Sequence, residues 1–117
     1  MKESEYEFYW CIIKDSIEYY CHFDILIREF LKVYNKMNMI KTLEENYTNN
    51  EIECRIEYLT DFVHRNLNKD KYKDIRLEIV TCISEYQKYK KLEVLTFKIK
   101  FECKIVILSE MLKQGFV

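Results

Sequence analysis

The chain has 117 residues, nearly half apolar and a third charged, with a formal net charge of −1. That length fits one domain able to bury its own core, and the composition excludes intrinsic disorder. Near-neutral charge gives no general attraction to nucleic acid or to an anionic bilayer.

The charge is unevenly divided. Residues 1–60 carry seven Lys/Arg against twelve Asp/Glu, and residues 61–117 carry twelve against eight. Either the two halves attract each other within one fold, or the C-terminal half offers a basic surface to an acidic partner. There is one glycine, Gly115, with no proline and no alanine, while Lys, Ile, Tyr and Glu abound. Residues with A/T-rich codons are thus favoured, which points to an AT-rich genome: a virus, a phage, a low-GC bacterium or a parasite. Five cysteines at irregular spacing, with no C-x-x-C pair, predict free buried thiols in a reducing compartment. The acidic opening MKESEYEFYW is unlike a signal peptide, and no apolar run reaches the ~18–20 residues of a membrane span. These features predict a cytoplasmic protein, in the host cell if the source is viral.

In chain order, Tyr6, Trp10, Ile13, Ile17, Tyr20, Phe23, Ile27, Leu31 and Tyr34 recur at steps of three or four. That is one face of a helix. Ser4 and Glu7 form a capping box at its start. A single helix over 4–38 would be roughly 50 Å long, so a break near Cys21–Asp24 is favoured over a protruding rod. A polar connector follows at 44–50. Ile52, Cys54, Ile56 and Tyr58 then alternate with charged residues, although Ile52, Ile56, Leu59 and Val63 also suit a helix. After a turn-like stretch at 66–71, Ile75, Leu77 and Ile79 alternate with Arg76 and Glu78.

Between Phe97 and Ile105 every second residue is apolar, and Lys98, Lys100, Glu102 and Lys104 fill the gaps. As a helix this segment turns charges toward the core, where an unpaired charge costs several kcal/mol. As a strand it places them all on one wet face. The expected fold is therefore α+β. A helix or helical hairpin over about 4–40 covers a small antiparallel sheet with strands at about 51–59, 74–85 and 92–107, all in a single domain.

Catalytic and cofactor-binding motifs are scarce. One glycine excludes phosphate-binding glycine loops and the G-x-S-x-G elbow, and H-E-x-x-H and EF-hand loops are absent. No cofactor is expected. Asp61, His64 and Arg65 form the one grouping with catalytic ingredients, a carboxylate beside a histidine. His22 beside Cys21 and near Asp24 has metal-ligand character. Lys69, Lys71, Lys73, Lys88, Lys90 and Lys91, with nearby tyrosines, make two basic clusters of a kind that grips nucleic acid.

Phe8, Tyr9 and Tyr19 fall off the main helical stripe and leave apolar surface to spare. With Lys88, Lys90, Lys91, Lys98 and Lys100 they are the candidate protein-binding residues. The functional expectation is a small non-enzymatic inhibitor of viral or phage origin that sequesters a host-defence protein, as anti-CRISPR and immune-evasion proteins do. A bacterial immunity protein or antitoxin, and a nucleic-acid-binding protein or small nuclease, are the alternatives. Homodimerisation is compatible with each.

Overall fold

The computed structural model describes residue 11, residues 24–46 and residues 48–116. These residues form α1 (Asp24–Val33), α2 (Lys36–Glu45), α3 (Asn49–Asn66), a 3-10 turn (Asp70–Tyr72), α4 (Lys73–Lys91) and α5 (Leu95–Lys113). Among the described residues there is no strand, so the α+β expectation is overturned at all three proposed strands. Residues 4–10 and 12–23 of the expected N-terminal helical segment, including Phe8, Tyr9, Tyr19 and His22, lie outside the described residues.

Local chemistry sets the helix boundaries. The Tyr34–Asn35 junction separates α1 from α2, and Asn35 caps α2 by accepting the Asn38 N–H at 3.0 Å. Tyr34 stacks on Phe30 and shares a hydroxyl hydrogen bond with Thr42 at 3.0 Å, which fixes the angle between the two helices. Thr48 caps α3 through the Glu51 N–H, and Glu51 places a carboxylate in the first turn.

Within 51–59 the deciding residues are Cys54 and Arg55. Alternation required Cys54 to be inside and Arg55 outside; Cys54 is exposed and Arg55 is buried. Ile52, Ile56, Leu59 and Val63 form the buried stripe instead, at helical spacing. Residues 74–85 belong to α4, whose buried stripe is Ile79, Cys82 and Tyr86. Leu77, an inward residue of the expected strand, is on the solvent side.

The segment 97–105 forms the first half of α5, and the molecule is organised around this helix. Every residue from Phe101 to Leu112 is buried, and α1, α2, α3 and α4 all pack against it. A helix enclosed on all sides has no wet face, so its sequence shows no 3.6-residue contrast. Its charges are buried but paired. Glu102 accepts from Lys98 one turn back at 3.5 Å. Lys104 meets Glu78 of α4 at 3.0 Å. Glu110 meets Arg55 of α3 at 2.7 Å, and the same guanidinium Nη1 donates to Ser109 Oγ at 2.6 Å. The strand expectation assumed unpaired charges; partners on neighbouring helices remove that penalty. Two ionic links, Arg55–Glu110 and Glu78–Lys104, also fix the register of α3 and α4 against the central helix.

Both α4 and α5 end in the same six-residue turn, with a left-handed residue just past the helix. After α5 the left-handed position is Gly115, at φ 76°, and the Phe116 N–H donates to the Met111 carbonyl at 3.0 Å. Phe116 then packs edge-on against Phe30 of α1. After α4 the left-handed residue is Glu93, at φ 57°, and the Val94 N–H donates to the Tyr89 carbonyl at 3.1 Å. The chain's lone glycine serves one of these turns, and a glutamate must serve the other.

Candidate protein-interaction surface

The turn at Glu93 sets the α4–α5 apex and drives four apolar side chains outward. Leu92 and Leu95 are about 61% and 64% exposed, Phe97 is 43% exposed, and Val94 lies beside them in sequence, also exposed. A cluster of this kind is unusual for a surface that meets only water. Beneath it the aromatic packing is firm. Tyr89 stacks on Phe97 with ring centroids 4.8 Å apart and on Phe101 at 5.7 Å, so Phe97 is held in place from below.

Lysines surround this apex. Lys88 and Lys91 are exposed, and Lys88 lies over the Tyr89 ring at 5.2 Å. Lys90 reaches Glu53 of α3 at 3.1 Å and so ties the apex to the bundle. Lys98 is turned toward Glu102, and Lys100 is half-buried. The sequence-derived candidates Lys88, Lys90, Lys91, Lys98 and Lys100 therefore gather at one end of the α4–α5 pair. Lys98 and Lys100 correct the expectation, however: they lie on a helix rather than on the wet face of a strand. Lys90 and Lys98 are held by carboxylates, so Lys88 and Lys91 carry the outward charge. Leu92, Leu95 and Phe97 were missed because the strand expected over 92–107 placed Phe97 in the core.

The two lysine clusters sit at opposite ends of α4, roughly 27 Å apart at 1.5 Å per residue. A different concavity adjoins the first cluster. Val63, Leu77 and Val80 line a groove of about 520 Å³ between the end of α3 and the start of α4, bordered by His64, Lys73 and Arg76. His64 is exposed there. The Asp61 carboxylate that was expected to orient it pairs instead with Arg65, at 3.0 Å. The histidine–carboxylate grouping is thus not assembled as a base and its orienting partner. Among the described residues no three His, Cys, Asp or Glu side chains converge as metal ligands. No described helix is long and apolar enough to cross a membrane.

Four described cysteines are free thiols. Cys11 and Cys54 are exposed, while Cys82 and Cys103 are buried against α5 and within it. Burial pushes the Cys82 thiol up to about 12, and the Cys103 thiol is likewise raised. Neither has the electropositive, accessible setting of a reactive cysteine.

No family model, curated protein or solved structure matches this chain.

Proposed function

We propose that this protein acts by binding another protein rather than by catalysis, and that the α4–α5 apex is the contact surface. The observation that carries this reading is the cluster of Leu92, Leu95 and Phe97, exposed together on an aromatic base and bordered by Lys88 and Lys91. Binding surfaces concentrate their energy in a few rigid apolar anchors with a polar rim. The partner surface is apolar at its centre and acidic at its edge. A second copy of the apex is a poor occupant, because two-fold pairing would bring like lysine rims together. Sequestration of a host-defence protein is the activity that fits the small size and the A/T-rich coding bias.

The test is recovery of partners by the tagged protein from lysate of its host, at low and high salt, with a nuclease-treated control. One dominant protein is expected to survive salt and nuclease. The Leu92→Asp/Leu95→Asp variant should lose it by tenfold or more, as for loss of more than about 1.4 kcal/mol at a hot spot. Both positions are exposed, so helix content should be unchanged. Full recovery by this variant would rule out the apex. Recovery of nucleic acid alone, falling steeply with salt, would replace this reading with a nucleic-acid-binding one.

A further inference from the structure

We propose that the groove between the end of α3 and the start of α4 is a binding site for an anionic amphiphile, a linear alkyl chain bearing one carboxylate. The site is separate from the apex and does not depend on the reading of the apex.

The groove's volume of about 520 Å³ falls within the ~300–1,000 Å³ usual for small-molecule sites. Its apolar side is aliphatic. Leu77 and Val80 are more than half exposed on successive turns of α4, and Val63 of α3 closes the floor between the helices. Single exposed aliphatics are ordinary on a protein surface. Here two of them, with the buried Val63 beneath, share one concavity with three basic side chains, and no acidic residue lines it.

The charges are arranged along one direction. Lys73 lies one turn before Leu77, and Val80 nearly one turn after it. The span from Lys73 to Val80 is about 10 Å along the helix axis, a length that an alkyl chain of ~8–10 carbons covers. The carboxylate then lies at the Lys73–Arg76 end and the chain runs over Leu77 toward Val80.

Arg76 is held in place for this task. Its Nη1 donates to the Leu67 carbonyl at 2.7 Å and to the Lys69 carbonyl at 3.4 Å, which anchors the guanidinium at the exit of α3. Its Nε and Nη2 donors have no partner among the described residues. A fixed guanidinium with unused donors matches a carboxylate, which accepts through both oxygens. Asp61 is paired with Arg65 and Glu78 with Lys104. His64 adds a ring N–H on the opposite wall.

The test uses the whole chain, labelled with ¹⁵N and titrated with sodium decanoate, with decyltrimethylammonium as the cationic control of equal chain length. Saturable amide shifts are expected across residues 63–80, with a Kd below about 1 mM. The cationic control should produce no saturable shift there. Lys73→Glu and Val80→Glu, both at exposed positions, should each weaken decanoate on the order of tenfold with helical circular dichroism unchanged. The proposal is overturned by any of three results: no saturation by decanoate, an equal response to the cation, or unaltered affinity in both variants. Saturation of the same amides by an acidic amphipathic peptide, but not by decanoate, would assign the groove to a protein segment instead.

Discussion

Replacing Glu110 by leucine should be among the most damaging single changes available to this protein, and replacing Arg55 along with it should undo most of the damage. The Arg55–Glu110 pair joins α3 to α5 at 2.7 Å, with only 8% and 11% of the two side chains exposed. At an effective dielectric of about 20, the attraction at such a separation is on the order of 4–6 kcal/mol. Desolvating two ions costs several kcal/mol each, so the intact pair contributes little net stability over an apolar pair of similar volume. The single variant Glu110→Leu is different. It leaves a guanidinium buried with Ser109 Oγ as its one remaining partner among the described residues, at a cost of about 3–5 kcal/mol. For a chain of this size that lowers Tm by roughly 10–20 °C. In Arg55→Met/Glu110→Leu no charge remains, and Ser109 keeps its bond to the Val106 carbonyl at 2.9 Å. The double variant should therefore lie within about 1 kcal/mol of the starting protein. Urea titrations of the four proteins form a double-mutant cycle, with equal slopes as the control for two-state unfolding. A Glu110→Leu cost below about 0.5 kcal/mol would refute the reasoning, as would a double variant as unstable as the sum of the singles.

Three further outcomes follow from the described contacts. Glu93→Gly should stabilise the protein by about 0.5 kcal/mol in urea, because left-handed strain of ~1–2 kcal/mol is relieved against a smaller entropic loss in the unfolded chain; a destabilised variant would mean that the Glu93 side chain holds the turn. Burial raises the Glu102 carboxyl above its ordinary 4.5, against the opposing pull of Lys98 and Lys90. The folded chain therefore holds that proton more tightly, and the stabilisation it gives is full below about pH 4.5 and lost as pH rises through the raised value. Wild-type stability minus that of Glu102→Gln should thus fall as pH rises above about 4.5, and a constant difference would show that Glu102 titrates alike in both states. Native alkylation with iodoacetamide, read by peptide mass spectrometry, should modify Cys54 and leave Cys82 and Cys103 untouched until denaturant is added; early labelling of Cys82 would contradict its burial.

Much of the local punctuation could be read in the sequence, while the central element could not. The breaks at 44–50 and 66–71 were read from their polar residues, and the Ile52–Ile56–Leu59–Val63 stripe was visible as a helical alternative, but the helical segment expected over 4–38 ran through the break at Tyr34–Asn35. The alternation from Phe97 to Ile105 misled because a strand with one wet face and a helix with none can share one pattern. What separates them is whether Lys104 and Glu110 find Glu78 and Arg55, contacts 26 and 55 residues apart in sequence. Single-segment periodicity carries no information about such pairs. The lysines of the candidate surface were found from composition. Its apolar centre was not, because the exposure of Leu92 and Leu95 depends on a left-handed turn at Glu93 that no glycine announces.

The position of α5 in the chain has a consequence for synthesis. The helix on which α1 to α4 close follows all four of them in sequence. While the ribosome works from α1 to α5, roughly 5–20 s at ordinary elongation rates, the earlier helices have apolar stripes and two buried-type charges with nothing to receive them. Arg55 and Glu78 wait as solvated ions until Glu110 and Lys104 emerge. Completion of the fold is thus tied to α5 leaving the exit tunnel. A message cut short before α5 yields no smaller working version of the protein, only a chain offered to chaperones and proteases.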